Sequence, residues 1–279
     1  MRLAFSNIAW DPAEDAEVAD MLGRFEVDAI DVAPSKYFTN PHTTAAGEIS
    51  GVRRWWEQRG IQVTGMQSLL FGAAGLNLFG PVDSQDAMLG HLDAICRVAA
   101  GLGATRLVFG SPKNRDRAGV PDDRVLETAV SFFRRLGAIA GSHGVTVCLE
   151  PNPPRYGANF MTDAAETASV VRAVDHPAIR MQLDTGAMQI NGEDPAAVLR
   201  TSAELVGHVH ASEPDLVPLG DGSTDHRAVA GALMDTLPDH VVSIEMVATA
   251  DEPHLTSMER ALRAAIRYYR PAQTKDGSH

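Results

Sequence analysis

Eight short apolar runs recur along the chain, each followed by a helix-like stretch, and this rhythm restricts the fold more than any other feature. The runs are "RLAFSN" (2–7), "DAIDVAP" (28–34), "QVTGMQS" (62–68), "RLVFGS" (106–111), "VTVCLEP" (145–151), "IRMQLDT" (179–185), "GHVHAS" (207–212) and "VVSIEMV" (241–247). Short runs of this kind, rich in branched and apolar residues and bounded by turn formers, read as strands buried on both faces. The stretches between them carry helix signals. Asp11-Pro12 with Glu14 supplies an N-cap, a proline at the first helical position and an acid in the first turn, and Asp194-Pro195 repeats the start. In 122–144, Val125, Ala129, Phe132, Leu136 and Ile139 recur at spacings of three and four, with Gly141 and Gly144 as the stop. The last helix, "SMERALRAAIRYYR", ends before Pro271.

Eight strand–helix units within about 250 residues match the size and order of a TIM barrel. The expectation is an α/β fold, a single-domain (β/α)8 barrel over residues 1–270, with 271–279 a disordered tail. An open doubly wound sheet shares the alternation but more often carries a glycine-rich phosphate turn after its first strand. Here that turn reads "SNIAWDPAED", without glycine.

Four of the strand ends carry chemistry. Side chains alternate along a strand, so Glu150 shares a face with Cys148 and Thr146, Asp184 with Gln182, His210 with His208, and Glu245 with Ser243. Glu150, Asp184, His210 and Glu245 then point inward at the C-terminal mouth, where barrel enzymes build their sites. Taken singly, a carboxylate at a strand end is more often a cap, and an inward histidine is more often a satisfied core residue. Taken together, three carboxylates at one place repel one another unless a cation joins them. The oxygen-rich set with one imidazole suits one divalent metal ion, with Mn²⁺ expected ahead of Mg²⁺, Co²⁺ or Fe²⁺.

Composition removes several other classes. The net charge of −12 over 279 residues argues against nucleic-acid binding. No apolar run approaches the ~18 residues of a membrane span, and the N-terminus lacks the pattern of a secretory leader. The two cysteines, Cys96 and Cys148, lie in apolar segments and read as reduced core thiols. A cytoplasmic protein is expected.

The segments "CLEPNP", "LDTG", "GHVHASE" and "SIEM", in that order and spacing, resemble the xylose-isomerase-like sugar isomerase and epimerase superfamily, with ketose 3-epimerases its best-known one-metal members. The resemblance covers nearly the whole chain. It implies a metal held by Glu150, Asp184, His210 and Glu245, with Glu150 and Glu245 also acting as acid and base on opposite faces of a sugar carbon. Two departures matter. Ketose 3-epimerases usually place a histidine three residues after the strand-six Asp, where this chain has Ala187. They also place an arginine soon after the strand-seven His, where this chain has none before Arg227. The contacts for a free ketohexose are therefore incomplete, and another small polyol, a carbocyclic ketone or a sugar phosphate is an equal expectation. The DNA-repair branch with three metals does not fit, because strands three and four end in "MQS" and "FGS" without histidine.

Further residues are candidates for substrate contact. Lys113 after strand four and Arg155 after strand five could clamp a phosphate or carboxylate, and Arg115 beside them is a weaker candidate. His208 could orient the ligands or touch substrate. Glu213 could accept a substrate hydroxyl, and Trp10 could wall a sugar face. The apolar, glycine-rich stretch 69–85, with Phe71 and Phe79, reads as a lid or as a surface against a second copy of the chain, which would make a homo-oligomer. The segment "LGDGSTDH" (219–226) reads as turn geometry before a helix capped near Asp225.

The reading that joins these residues is a metal-dependent epimerase or isomerase working on a small carbohydrate through an enediolate. Two alternatives stay open: a dehydratase of a keto-cyclitol or dehydroshikimate-like substrate, and a barrel that binds sugar without turnover.

Overall fold

A computed structural model describes residues 1–270; the expected tail 271–279 lies outside them. The eight strands are β1 (Arg2–Ser6), β2 (Ala29–Val32), β3 (Gln62–Met66), β4 (Arg106–Phe109), β5 (Thr146–Leu149), β6 (Ile179–Asp184), β7 (Val206–Ser212) and β8 (Val241–Glu245). All pair in parallel in chain order, and β8 returns to β1 through Arg2↔Val241 to Phe5↔Ile244, so the sheet closes into a barrel. The open doubly wound alternative is thereby excluded.

The helices among the described residues are α1 (Asp15–Arg24), α2 (Ala46–Glu57), α3 (Val82–Leu102), α4 (Asp122–Ser142), α5 (Ala164–Val174), α6 (Thr185–Asn191), α7 (Pro195–Ser202), α8 (His226–Thr236) and α9 (His254–Tyr269). Their starts follow the sequence signals. The Glu14 side chain accepts from Asp11 N–H at 2.9 Å, and Asp194 and Asp225 cap α7 and α8 by accepting from Ala196 N and Ala228 N. In α4, Val125, Ala129, Phe132 and Leu136 are buried as expected. The helix runs through Gly141, however, and it is Gly144, at φ 70°, that takes the left-handed turn. None of the helices among the described residues is long and apolar enough to cross a membrane.

Alternation along the strands divides the barrel into two kinds of interior. Leu3, Phe5, Val147, Leu149, Val209, Ala211, Val242 and Ile244 join one apolar cluster with the helix faces. The residues between them include Ser6, Gln182, His208, His210 and Ser243, which are buried and polar. The apolar layer between sheet and helices supplies the hydrophobic stabilisation. The polar lumen is a cost at that scale, and it leads to the C-terminal mouth.

Candidate metal centre

Register brings the strand-end residues together. Asp184 lies opposite His210 across β6 and β7, and Ser212 lies opposite Glu245 across β7 and β8. Glu150 follows β5 directly, its N–H still bonded to Phe109 O at 3.1 Å. One donor atom from each of Glu150, Asp184, His210 and Glu245 lies within 4.8 Å of the others. The four predicted ligands thus converge at the mouth.

The three carboxylates are each held by hydrogen bonds from nearby groups. Asp184 ends its strand and caps α6: Oδ1 accepts from Ala187 N at 2.7 Å, while Oδ2 accepts from Ser212 Oγ at 2.9 Å. Thr185 clamps β7 by donating from Oγ1 to Ser212 O (2.7 Å) and accepting from Ser212 N (2.8 Å). A Cβ on Gly186 would come within 2.7 Å of Glu213 O, so only glycine fits the close approach of α6 to this loop. Glu245 Oε1 accepts from Gln67 Nε2 at 2.6 Å, and Gln67 Oε1 accepts from Ser6 Oγ at 2.6 Å. Glu150 Oε2 accepts from Asn152 Nδ2 at 3.1 Å. Each glutamate therefore has one oxygen held by a carboxamide. The other oxygen faces His210 Nδ1, at 3.1 Å for Glu245 and 3.8 Å for Glu150.

Crowding of three carboxylates and one imidazole at a buried point shifts the acidity of each. Burial, reinforced by Glu245 and Asp184, pushes the Glu150 carboxyl up to about 8. Burial and Glu245 push Asp184 up to about 7. Burial opposes ionisation of Glu245 too, yet the charge and hydrogen bond of His210 bring it below the usual carboxylate range. Burial lowers the His210 imidazole, but Glu245, Asp31 and Glu150 outweigh it and raise the group well above the usual value. Three buried carboxylates and one imidazole, with donor atoms converging on one point, form a donor set that fits a divalent cation.

A pH dependence follows. Glu150 and Asp184 titrate higher in the folded chain than their unperturbed 4.5 and 3.8. Above those lower values the metal-free fold binds more protons than the unfolded chain, so its stability falls as pH rises from about 4.5 to 8. His210 acts in the same direction, because its raised pKa favours the fold most at low pH. Metal uptake displaces these protons, so affinity rises over the same window. The increase in Tm on adding Mn²⁺ to EDTA-treated protein should be larger at pH 8 than at pH 5.5. An equal increase at both would contradict the assignment of these protons.

The predicted substrate residues fare differently. A cavity of about 240 Å³ opens beside the carboxylates, lined by Glu150, Glu245, Gln67, Ser111 and the segment from Ser68 to Phe71. The stretch 69–85 thus contributes Leu69, Leu70 and an outward Phe71, 76% exposed, while Phe79 packs edge-on against Phe160. Lys113 stands exposed in the turn Pro112–Arg115 with no ionic partner among the described residues. Four of the candidates for substrate contact are engaged by other protein groups in the structure. Trp10 is 1% exposed, packs against Phe5 and Trp56, and donates to Asp15 Oδ1, because the apolar ring gains more in the core than at the mouth. His208 lies below His210 and is bonded to Asp31 at 2.6 Å. Glu213 turns away into the loop it follows, accepting from Gly220 N, Thr224 N and His226 Nε2; despite its burial these donors pull it down to about 2. Arg155 is ion-paired with Asp215, and Tyr156 Oη accepts from Asp215 N, so this pair ties the loop after β5 to the loop after β7.

Arg115 is also inside: it is 1% exposed and donates to Glu150 O at 2.7 Å and to Asn152 Oδ1, supporting the turn that carries Glu150. Reasoning from sequence missed Asp31, Gln67, Asn152 and Ser212. The signal available was a polar side chain within or just after an apolar strand run.

A family profile described as "Xylose isomerase-like TIM barrel" matches residues 20–272. D-psicose 3-epimerase of Ruminiclostridium cellulolyticum is 29% identical over 109 residues, a stretch that spans 39% of this chain and only 37% of that protein. Among solved structures, a D-psicose 3-epimerase with D-tagatose from Clostridium cellulolyticum H10 superposes with a TM-score of 0.79 at 20% identity, covering 97% of this chain and 98% of that one. A 3-keto-D-glucoside 4-epimerase from E. coli superposes with a TM-score of 0.77 at 19% identity, covering 94% and 98%. At these identities the structural matches establish the fold.

Proposed function

This chain belongs to the xylose isomerase-like TIM-barrel family, and on that premise we propose that it is a divalent-metal-dependent epimerase or isomerase of a small sugar, a polyol-derived ketone or a sugar phosphate. The observation that carries the reading is the paired presentation of Glu150 and Glu245. Both line one cavity, each with one oxygen held by a carboxamide and the other turned toward the same imidazole. The epimerases matched in sequence and structure support the same reaction class. The cavity, about 240 Å³, is smaller than the ~300–1,000 Å³ of drug-sized sites, which favours a substrate of monosaccharide size.

Glu150, Asp184, His210 and Glu245 would hold the cation, and the oxygen-rich set favours Mn²⁺. When bound, it supplies Lewis-acid stabilisation of negative charge on the substrate oxygens. The two glutamates do the proton transfer. One carboxylate removes the proton α to the carbonyl: the C–H bond breaks, the proton passes to a carboxylate oxygen, and the electron pair enters the carbonyl system as an enediolate. The other glutamate, protonated, returns a proton to the opposite face, which inverts that carbon. Return to the neighbouring carbon instead gives the aldose–ketose isomer. Gln67 and Asn152 limit the rotation of the two carboxylates, so the orientation is set before substrate arrives. Lys113, exposed in the turn that follows the cavity residue Ser111, is proposed as the cation that would meet a phosphate or carboxylate of the substrate.

A panel of ketoses, inososes and sugar phosphates, incubated with Mn²⁺ and read by mass and NMR, tests the proposal. An isomer of unchanged mass is expected. Loss of water would assign a lyase, and no turnover across the panel would favour a binding protein.

A further inference from the structure

Beneath the four ligands lies a second buried cluster, Asp31 with His208 and His210, whose donor atoms also fall within 4.8 Å of one another. Asp31 sits in the middle of β2, inside the barrel, with no exposed surface. Its Oδ2 is 2.6 Å from His208 Nε2 and 3.6 Å from His210 Nε2, while Oδ1 accepts from Thr64 Oγ1 at 3.2 Å. Strand β3 leaves room for this carboxylate: a Cβ on Gly65 would lie 2.4 Å from Asp31 Oδ1.

We propose that Asp31 is the positioning residue for the histidine ligand, fixing the His210 ring through Nε2 so that Nδ1 is aimed at the cation site. The inference rests on the metal-centre reading and adds a residue to it. His210 Nδ1 faces Glu245 and Glu150, and a neutral imidazole that offers a lone pair there must carry its proton on Nε2. That nitrogen is fully buried and has no hydrogen-bond partner among the described residues. A buried N–H without an acceptor is costly, and the Asp31 carboxylate stands a few tenths of an ångström beyond hydrogen-bond reach. His208 completes the arrangement. Its short bond to Oδ2 pins the carboxylate, and its ring packs edge-on against His210 at 5.2 Å between centroids. Residues that orient a metal-bound histidine in this way usually contribute about 10–100-fold to metal affinity.

The test compares the Mn²⁺ Kd of the full chain, by competition with a fluorescent chelator, with the Tm of the metal-free protein. Asp31→Asn removes the charge at nearly constant shape. Gly65→Ala keeps the charge but displaces the carboxylate. Each is expected to bind Mn²⁺ about 10–100-fold more weakly than wild type. Glu213→Gln, which disturbs an equally buried network bonded to His226, should lower Tm and leave the Kd unchanged. A Kd for Asp31→Asn equal to that of wild type would overturn the proposal. Should that variant fail to fold, an unchanged Kd for Gly65→Ala would overturn it equally. Wild-type protein that takes up no Mn²⁺ would end the metal-centre reading and this inference with it, whereas normal uptake by wild type and variants alike would end only this inference.

Discussion

Glu150→Gln and Glu245→Gln are each expected to lower kcat by about 10²–10⁴, the usual contribution of a positioned acid or base. Glutamine keeps a carbonyl oxygen where the carboxylate stood but cannot carry the proton. For Glu245 the substitution also replaces two acceptor oxygens, one facing Gln67 Nε2 and one facing His210 Nδ1, by one neutral oxygen and one NH2 group, so the amide oxygen can serve only one of the two. For Glu150 the only side chain donating to the carboxylate among the described residues is Asn152. The loss at Glu150 should therefore fall more purely on kcat, with metal content nearer to wild type. A metal-loaded variant with undiminished turnover would remove that residue from the proton-transfer step.

Loss of a ligand should be felt first in metal content. Asp184→Asn and His210→Ala are both expected to weaken Mn²⁺ binding by more than the about 10–100-fold typical of losing an outer hydrogen-bond partner. The Asp184 substitution separates two roles of that side chain. Asparagine is as good an N-cap as aspartate, so the bond from Ala187 N and the start of α6 survive while the charge is removed. Elemental analysis after dialysis reads the outcome. Full stoichiometric metal in both variants, at wild-type affinity, would refute the four-ligand assignment.

Which parts of this site were legible in the sequence follows from what periodicity can fix. The barrel was legible from eight strand–helix units and from the lack of a glycine-rich turn after the first strand, because alternation alone fits an open sheet equally. The convergence of Glu150, Asp184, His210 and Glu245 followed because a strand's period of two leaves one face for a residue at or just past its end. Asp184 was conspicuous as a carboxylate closing an apolar run, and its cap on α6 explains why that run stops there. Past the strand end the period no longer decides: Glu150, one residue beyond β5, still faces the site, but others do not. Glu213 is one residue beyond β7 and turns into the loop at Gly220–Thr224, and Arg155 meets Asp215 instead of the cavity. Trp10 was ambiguous for a different reason: an indole suits a sugar face and a core equally, and only the neighbouring Phe5 and Trp56 decide. Asp31 escaped notice because it sits inside its run, in "AIDV", where an isolated carboxylate resembles an ordinary polar interruption. Its partner His208 comes from β7, 177 residues away in sequence, and only closure of the barrel brings the two together.

In the proposed reaction two glutamates exchange protons at one substrate carbon beside a divalent cation. Solvent deuterium tests it most directly. A ketose accepted by the protein, incubated with Mn²⁺ in D₂O, should gain one deuterium at a single carbon of the product without loss of water, and EDTA should abolish both exchange and turnover. Transfer between two residues should label the product more than the recovered substrate, because the glutamate that returns the proton is the one already equilibrated with solvent. Quantitative retention of the original hydrogen during turnover would contradict the account.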